Sequence, residues 1–123
     1  MSYVNRIAVT VTTAADGTAT SYSEVAMGLL SSVSYVKTDF ADGVDFTITT
    51  ETTGQNVWTD TNINASGVVN PRAATHDATG VASLYAAAGE PVEDYIPIAN
   101  ERIKIVIAQG GNVKTGTFYF VLI

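Results

Sequence analysis

Residues 102–108 read Arg-Ile-Lys-Ile-Val-Ile-Ala, and the order of these residues sets the fold class. Along an extended chain successive side chains point to opposite faces. Ile103, Ile105 and Ile107 therefore share one face, and Arg102, Lys104, Val106 and Ala108 share the other. β-Branched residues on one side and cations on the other predict a half-buried strand with a solvated charged face. The same period recurs in residues 6–12, where Ile7, Val9 and Val11 oppose Arg6, Ala8, Thr10 and Thr12. It recurs again in residues 44–51, where Val44, Phe46 and Ile48 oppose Asp45, Thr47, Thr49 and Glu51. Residues 117–123 are apolar on both faces and predict a core or interface strand. A central place in the domain's own sheet is the simplest account, because an open edge this apolar would aggregate.

Turn residues separate these runs. Asp16-Gly17 follows the first strand and precedes a second over residues 18–24. Asp42-Gly43 joins residues 32–38 to residues 44–51, and Gly110-Gly111-Asn112 joins the last two strands. Gly and Asn supply the positive φ angles that tight hairpins require. A weaker strand is expected at residues 56–62. Seven or so strands joined by hairpins predict an all-β fold, an antiparallel β-sandwich or jelly-roll-like domain spanning residues 1–123. Its expected core is Ile7, Val9, Val11, Phe46, Ile48, Ile103, Ile105, Ile107, Phe118 and Phe120.

Residues 64–90 break the pattern. They are rich in Ala, Gly, Ser and Thr, contain Asn70-Pro71, and have room for at most one short helical turn near residues 84–88. Long irregular segments in compact domains are usually functional or disordered. This one is either a loop folded over its own sandwich or an arm laid on a neighbouring subunit. In the second reading Leu84 and Tyr85 are anchors and Arg72 meets an acid on the neighbour, aromatic and Arg side chains being the usual interface hot spots. Trp58, the lone Trp, suits a core or interface position. Arg72, Leu84, Tyr85 and Trp58 are thus the candidate protein-interface residues.

Twelve acids against six bases give a net charge of -6, which repels phosphate backbones and anionic lipid and argues against nucleic-acid or membrane partners. Charged residues make up 15% of the chain, against about 25% in typical soluble domains. A surface so poor in charge suits partial coverage by other subunits and a homo-oligomer. With no cysteine, disulfides, thiolate metal sites and cysteine nucleophiles are excluded. The first residues have no basic segment followed by an apolar run, so no signal peptide is expected. No apolar run approaches the ~20 residues of a membrane span.

Catalytic chemistry finds little support. His76, the single histidine, neighbours Asp77 in sequence, but adjacent side chains in a loop rarely converge, and no nucleophile lies in a recognisable motif. Asp39, Asp42 and Asp45 recur at every third residue, yet the loop signature of a calcium site is absent and turn capping explains them more simply. Glu93-Asp94 lacks a marked partner acid for glycoside hydrolysis. No phosphate-binding or dinucleotide glycine motif occurs. The expectation is a non-enzyme without cofactor or metal.

The residues that remain carry a resemblance. SYVNRIAVTVTTAADG at 2–17, SYVKTDFADGVDFTITT at 34–50, Pro71-Arg72, LYAAAG at 84–89 and ERIKIVIAQGGNVKTGTF at 101–118 make the chain similar to small virion proteins of tailed bacteriophages. The resemblance implies a particle component located in the virion and assembled in the host cytoplasm, with the major capsid protein or other virion proteins as partners. A capsid cement or decoration protein that stabilises the head shell is the first expectation. A head-to-tail connector or stopper, or a tail component, is the alternative. Outside the virion, a carbohydrate-binding β-sandwich built around Trp58 remains open.

Overall fold

The structure is a computed structural model that describes residues 4–123. It is all-β, with no helix among the described residues. The strands in chain order are β1 (Asn5–Thr12), β2 (Ala19–Tyr22), β3 (Ala26–Lys37), β4 (Val44–Thr50), β5 (Asn56–Ile63), β6 (Gly67–Val69), β7 (Ala73–Ala74), β8 (Glu93–Asp94), β9 (Ile96–Glu101), β10 (Ile103–Ala108) and β11 (Thr115–Leu122). Two antiparallel sheets form a β-sandwich-like body. The first has the order β1-β11-β3-β6, with β9 also on β3; the second has the order β2-β10-β4-β5. A small ribbon, β7-β8, stands apart from both.

Inward residues of both sheets interlock into one core. All ten expected core residues are buried in it, joined by Leu30, Val33, Tyr35, Phe40, Val44, Val57, Ile96, Ile98 and Leu122. Around Phe46, the rings of Tyr35, Trp58 and Phe118 pack edge to face at 4.6, 5.3 and 4.9 Å between centroids. Such contacts add to the burial of the rings themselves. Gly116 lies against this cluster because it must: a Cβ there would come within 2.5 Å of the Phe40 ring.

β3 is longer than residues 32–38, and its own sequence explains why. The pairing with β11 shifts register between Val121 and Leu122, so Leu122 faces Leu30 while Val121 faces Ser32, and Ser31 is the extra residue. Before that bulge the buried positions are Ala26 and Leu30; after it they are Val33 and Tyr35. The alternation changes phase in mid-strand, which hides the first half from a period-two reading. β9 escapes such a reading for a different reason. Pro97 has no N–H to give a ladder and belongs on an edge strand, where it is found, opposite Leu29.

Glu101 ties the two sheets together. Its side chain is buried, and its carboxylate accepts the Thr52 and Thr53 amides at 2.7 and 3.1 Å and the Thr53 hydroxyl at 2.9 Å. Burial alone would raise its pKa. The hydrogen bonds from Thr53, Thr52 and Thr50 together outweigh burial and leave it below its ordinary value of 4.5.

Candidate protein-docking surface

Two surfaces stand out once the core is accounted for, and the first is the outer face of the five-stranded sheet. Its outward residues follow from the register. Ala8 pairs with Tyr119, Tyr119 with Ser34 and Ser34 with Val68, forming one continuous row across β1, β11, β3 and β6. Above it run Thr10, Thr117 and Val36; below it run Arg6, Val121 and Ser32. Beyond the bulge the face continues with Met27 opposite Ala99 and Leu29 opposite Pro97. No carboxylate occupies any of these outward positions, although the chain carries twelve acids. Met27 is 71% exposed and Val68 65%.

Arg6 is the cation among these strand positions. Its guanidinium lies 4.9 Å from the centre of the Tyr119 ring, and it forms no ion pair among the described residues. Arg6, Val36, Val68, Tyr119 and Val121 line a groove of about 580 Å³ on this face. A face of apolar, Thr and Ser side chains without a carboxylate is a candidate interaction surface.

The second surface is the arm, residues 73–94. It leaves the body after β6 and returns as β9, so both of its ends hang on β3. β6 pairs with Val33 to Tyr35 and β9 with Ala26 to Leu30, which leaves Ser31 and Ser32 between them. Arg72 fills that gap. Its Nη1 donates to the Ser31 carbonyl at 2.9 Å and to the Pro71 carbonyl at 2.8 Å, and its guanidinium stacks 4.2 Å over Tyr95. Arg72 is thus committed to carbonyls and a ring of its own chain, and it clamps the root of the arm.

The arm is ordered by its backbone. Thr75 donates to the Val92 carbonyl and accepts from Ser83, while Val92 donates back to Ser83; all three bonds are 2.8–2.9 Å. Leu84 and Pro91 form an isolated bridge, and the Tyr85 amide donates to the Glu90 carbonyl. Where the sequence leaves room for at most one short helical turn, residues 86–89 make a tight reversal, with Gly89 donating to Ala86 and Ala88 at φ 57°. Asp77 holds the other bend: its Oδ1 accepts the Thr79 hydroxyl and the Thr79 and Val81 amides, which lower its pKa. That carboxylate serves the turn, and His76, exposed beside it, forms a backbone bridge to Ala82.

None of the residues 73–94 is buried. Tyr85 is 76% exposed, with Leu84 and Val81 also open to solvent. Of the expected irregular segment 64–90, residues 67–69 therefore fold back on the sandwich as β6, with Val69 and Ala73 packed on the core, and the part beyond Ala73 is not laid over it. No protein-family model, no curated protein and no solved structure matches this chain.

The remaining candidates fall into structural places. Trp58 borders the core, its ring edge-on to Phe46 and its Nε1 donating to Asp60 at 3.4 Å. Asp39 accepts the Thr115 amide, Asp42 pairs with Lys37, and Asp45 accepts the Asn62 amide. Asp94 accepts the Tyr95 amide. No group of three His, Cys, Asp or Glu suited to a metal occurs among the described residues. Sequence reasoning missed the apolar face itself. Its one signal was the double-sided apolarity of residues 117–123, whose outward half is Thr117, Tyr119, Val121 and Ile123.

Proposed function

We propose that this chain is a structural protein of a tailed-phage particle, a cement or decoration protein that holds the head shell through protein–protein contacts. The observation that carries the reading is the carboxylate-free, apolar outer face of the five-stranded sheet on a chain of net charge -6. Water is a poor permanent neighbour for that face, and a protein surface is the covering its chemistry suits. The exposed, backbone-braced arm supports the same reading, because it presents Leu84 and Tyr85 without burying them on its own body. The sequence resemblance supplies the setting.

The test is direct. Particles are purified from a phage that encodes the chain and analysed by quantitative mass spectrometry, and shells assembled without it are incubated with the purified protein. The proposal expects the chain in the particles at a fixed copy number, and shells that resist heat or chelation better once it is bound. A chain absent from purified particles contradicts it.

A further inference from the structure

The face and the arm differ in more than shape. The arm, residues 73–94, contains Asp77, Glu90, Glu93 and Asp94 and no Lys or Arg. The face offers the unpaired Arg6, with the clamped Arg72 at its border, and no acid. At the tip a backbone bond pairs Tyr85 with Glu90, so one reversal carries both an apolar ring and a carboxylate. In the groove Tyr119 lies under the Arg6 guanidinium, and Val68 lines the same groove from β6. Each surface presents what the other lacks. In the isolated chain both stay open: Tyr85 and Leu84 on the arm, Val68 and Val36 on the face.

We propose that the arm of one copy docks in the groove of a second copy, with Leu84 and Tyr85 against Val36, Val68 and Tyr119, and Glu90 against Arg6. This rests on the reading of the face as a docking surface and names its occupant. The arm of a second copy is favoured over two faces meeting each other, because face-to-face contact covers both Arg6 guanidiniums with no carboxylate on either face to pair them. It is also favoured over an unrelated acidic segment, because every molecule of this protein carries the matching one. Contact between unlike surfaces either closes as a reciprocal exchange of arms in a two-fold pair or passes from copy to copy into rings or runs.

The absence of cysteine makes the test clean. One preparation carries Leu84→Cys and another Val68→Cys, both at exposed positions, and they are oxidised separately and as a mixture. The proposal expects a disulfide-linked product between the two variants that exceeds either self-linked product by about tenfold. It also expects Arg6→Glu to weaken association on the order of tenfold and Glu90→Lys in the same chain to restore it. Val68→Cys linking mainly to itself overturns the proposal in favour of face-to-face pairing. No cross-link, with a monomer by sedimentation at high concentration, overturns it too. In that last case heat protection of shells by the wild-type protein separates this failure from failure of the docking reading, because a face that takes another virion protein still protects them.

Discussion

The two sheets turn the same alternating sequence pattern toward solvent with different chemistry. Outside the four-stranded sheet, Arg102 pairs with Glu51 and stacks over Tyr22, and Lys104 and Asp45 stand among Thr47, Thr49 and Val106. Charges of both signs are interspersed there, as on an ordinary solvated face. Outside the five-stranded sheet the corresponding positions hold Met27, Leu29, Val36, Val68, Tyr119 and Val121 beside Thr10, Thr117, Ser32 and Ser34, with Arg6 resting on a ring instead of on an acid. The inward sides of the two sheets are alike, so folding alone does not require the difference. On the docking proposal, the difference means that one face is finished by water and the other is left for a partner.

The largest expected effects should not distinguish the sheets. Phe120→Ala in β11 and Ile105→Ala in β10 remove side chains that are fully buried on the shared core, and each should cost about 2–5 kcal/mol in urea unfolding. A much smaller cost for one of them would mean that the core is not shared evenly, and the comparison would then have to include the inward sides.

The next effect should separate them sharply. Val121→Lys and Val106→Lys place the same charge on half-buried outward positions of β11 and β10. Isolated stability should change by no more than about 1 kcal/mol in either. The docking proposal expects Val121→Lys to weaken assembly by tenfold or more on sedimentation, from the cost of burying an unpaired charge, and Val106→Lys to leave it near wild type. Equal losses from both would break the comparison.

Acid should act elsewhere than on the apolar face. Glu101 is held below its ordinary 4.5 by hydrogen bonds that outweigh its burial. A depressed carboxylate contributes stability that is complete above its unfolded value and lost as pH falls through its folded value. Melting temperature should therefore fall as pH drops below about 4.5, and Glu101→Gln should flatten that part of the curve. An unchanged acid limb in the variant would assign the loss to other carboxylates, such as Asp16 and Asp77, which hydroxyl and amide bonds also hold low.

The smallest effect concerns Tyr35, on the inward side of β3. Its hydroxyl is buried without a hydrogen-bond partner, and burial, with the nearby Asp42 charge, pushes its pKa up to about 12. Tyr35→Phe should leave stability unchanged or raise it by about 1 kcal/mol, because an unsatisfied hydroxyl is removed and no bond is lost. A clear loss in thermal unfolding would mean that the hydroxyl has a partner after all.

The body of the fold was legible where alternation kept its phase. Residues 6–12, 44–51 and 102–108 announce their inward faces, and all ten expected core residues lie in the core. The pattern failed at Ser31, where one bulged residue reverses the phase of β3, and at Pro97, which disguises an edge strand. The arm was legible as an interruption, and its exposed Leu84 and Tyr85 were named. Its means of order was not, because backbone bonds between Thr75, Ser83 and Val92 leave no side-chain pattern. Arg72 was singled out by type, but its place as a clamp depends on a carbonyl left between two strands that sequence does not bring together. The apolar face needs the register of five strands before its residues become neighbours.

Hydroxyl-radical footprinting of the isolated and the assembled protein tests the central claim most directly, because it labels exposed Met and Tyr side chains on both faces in one experiment. Met27, Tyr85 and Tyr119 report the apolar face and the arm, and Tyr22, 40% exposed, reports the charged face. The account predicts that assembly suppresses labelling of Met27, Tyr85 and Tyr119 severalfold while Tyr22 labels as before. Protection of Tyr22, with Met27 and Tyr85 labelled as in the free chain, would contradict it.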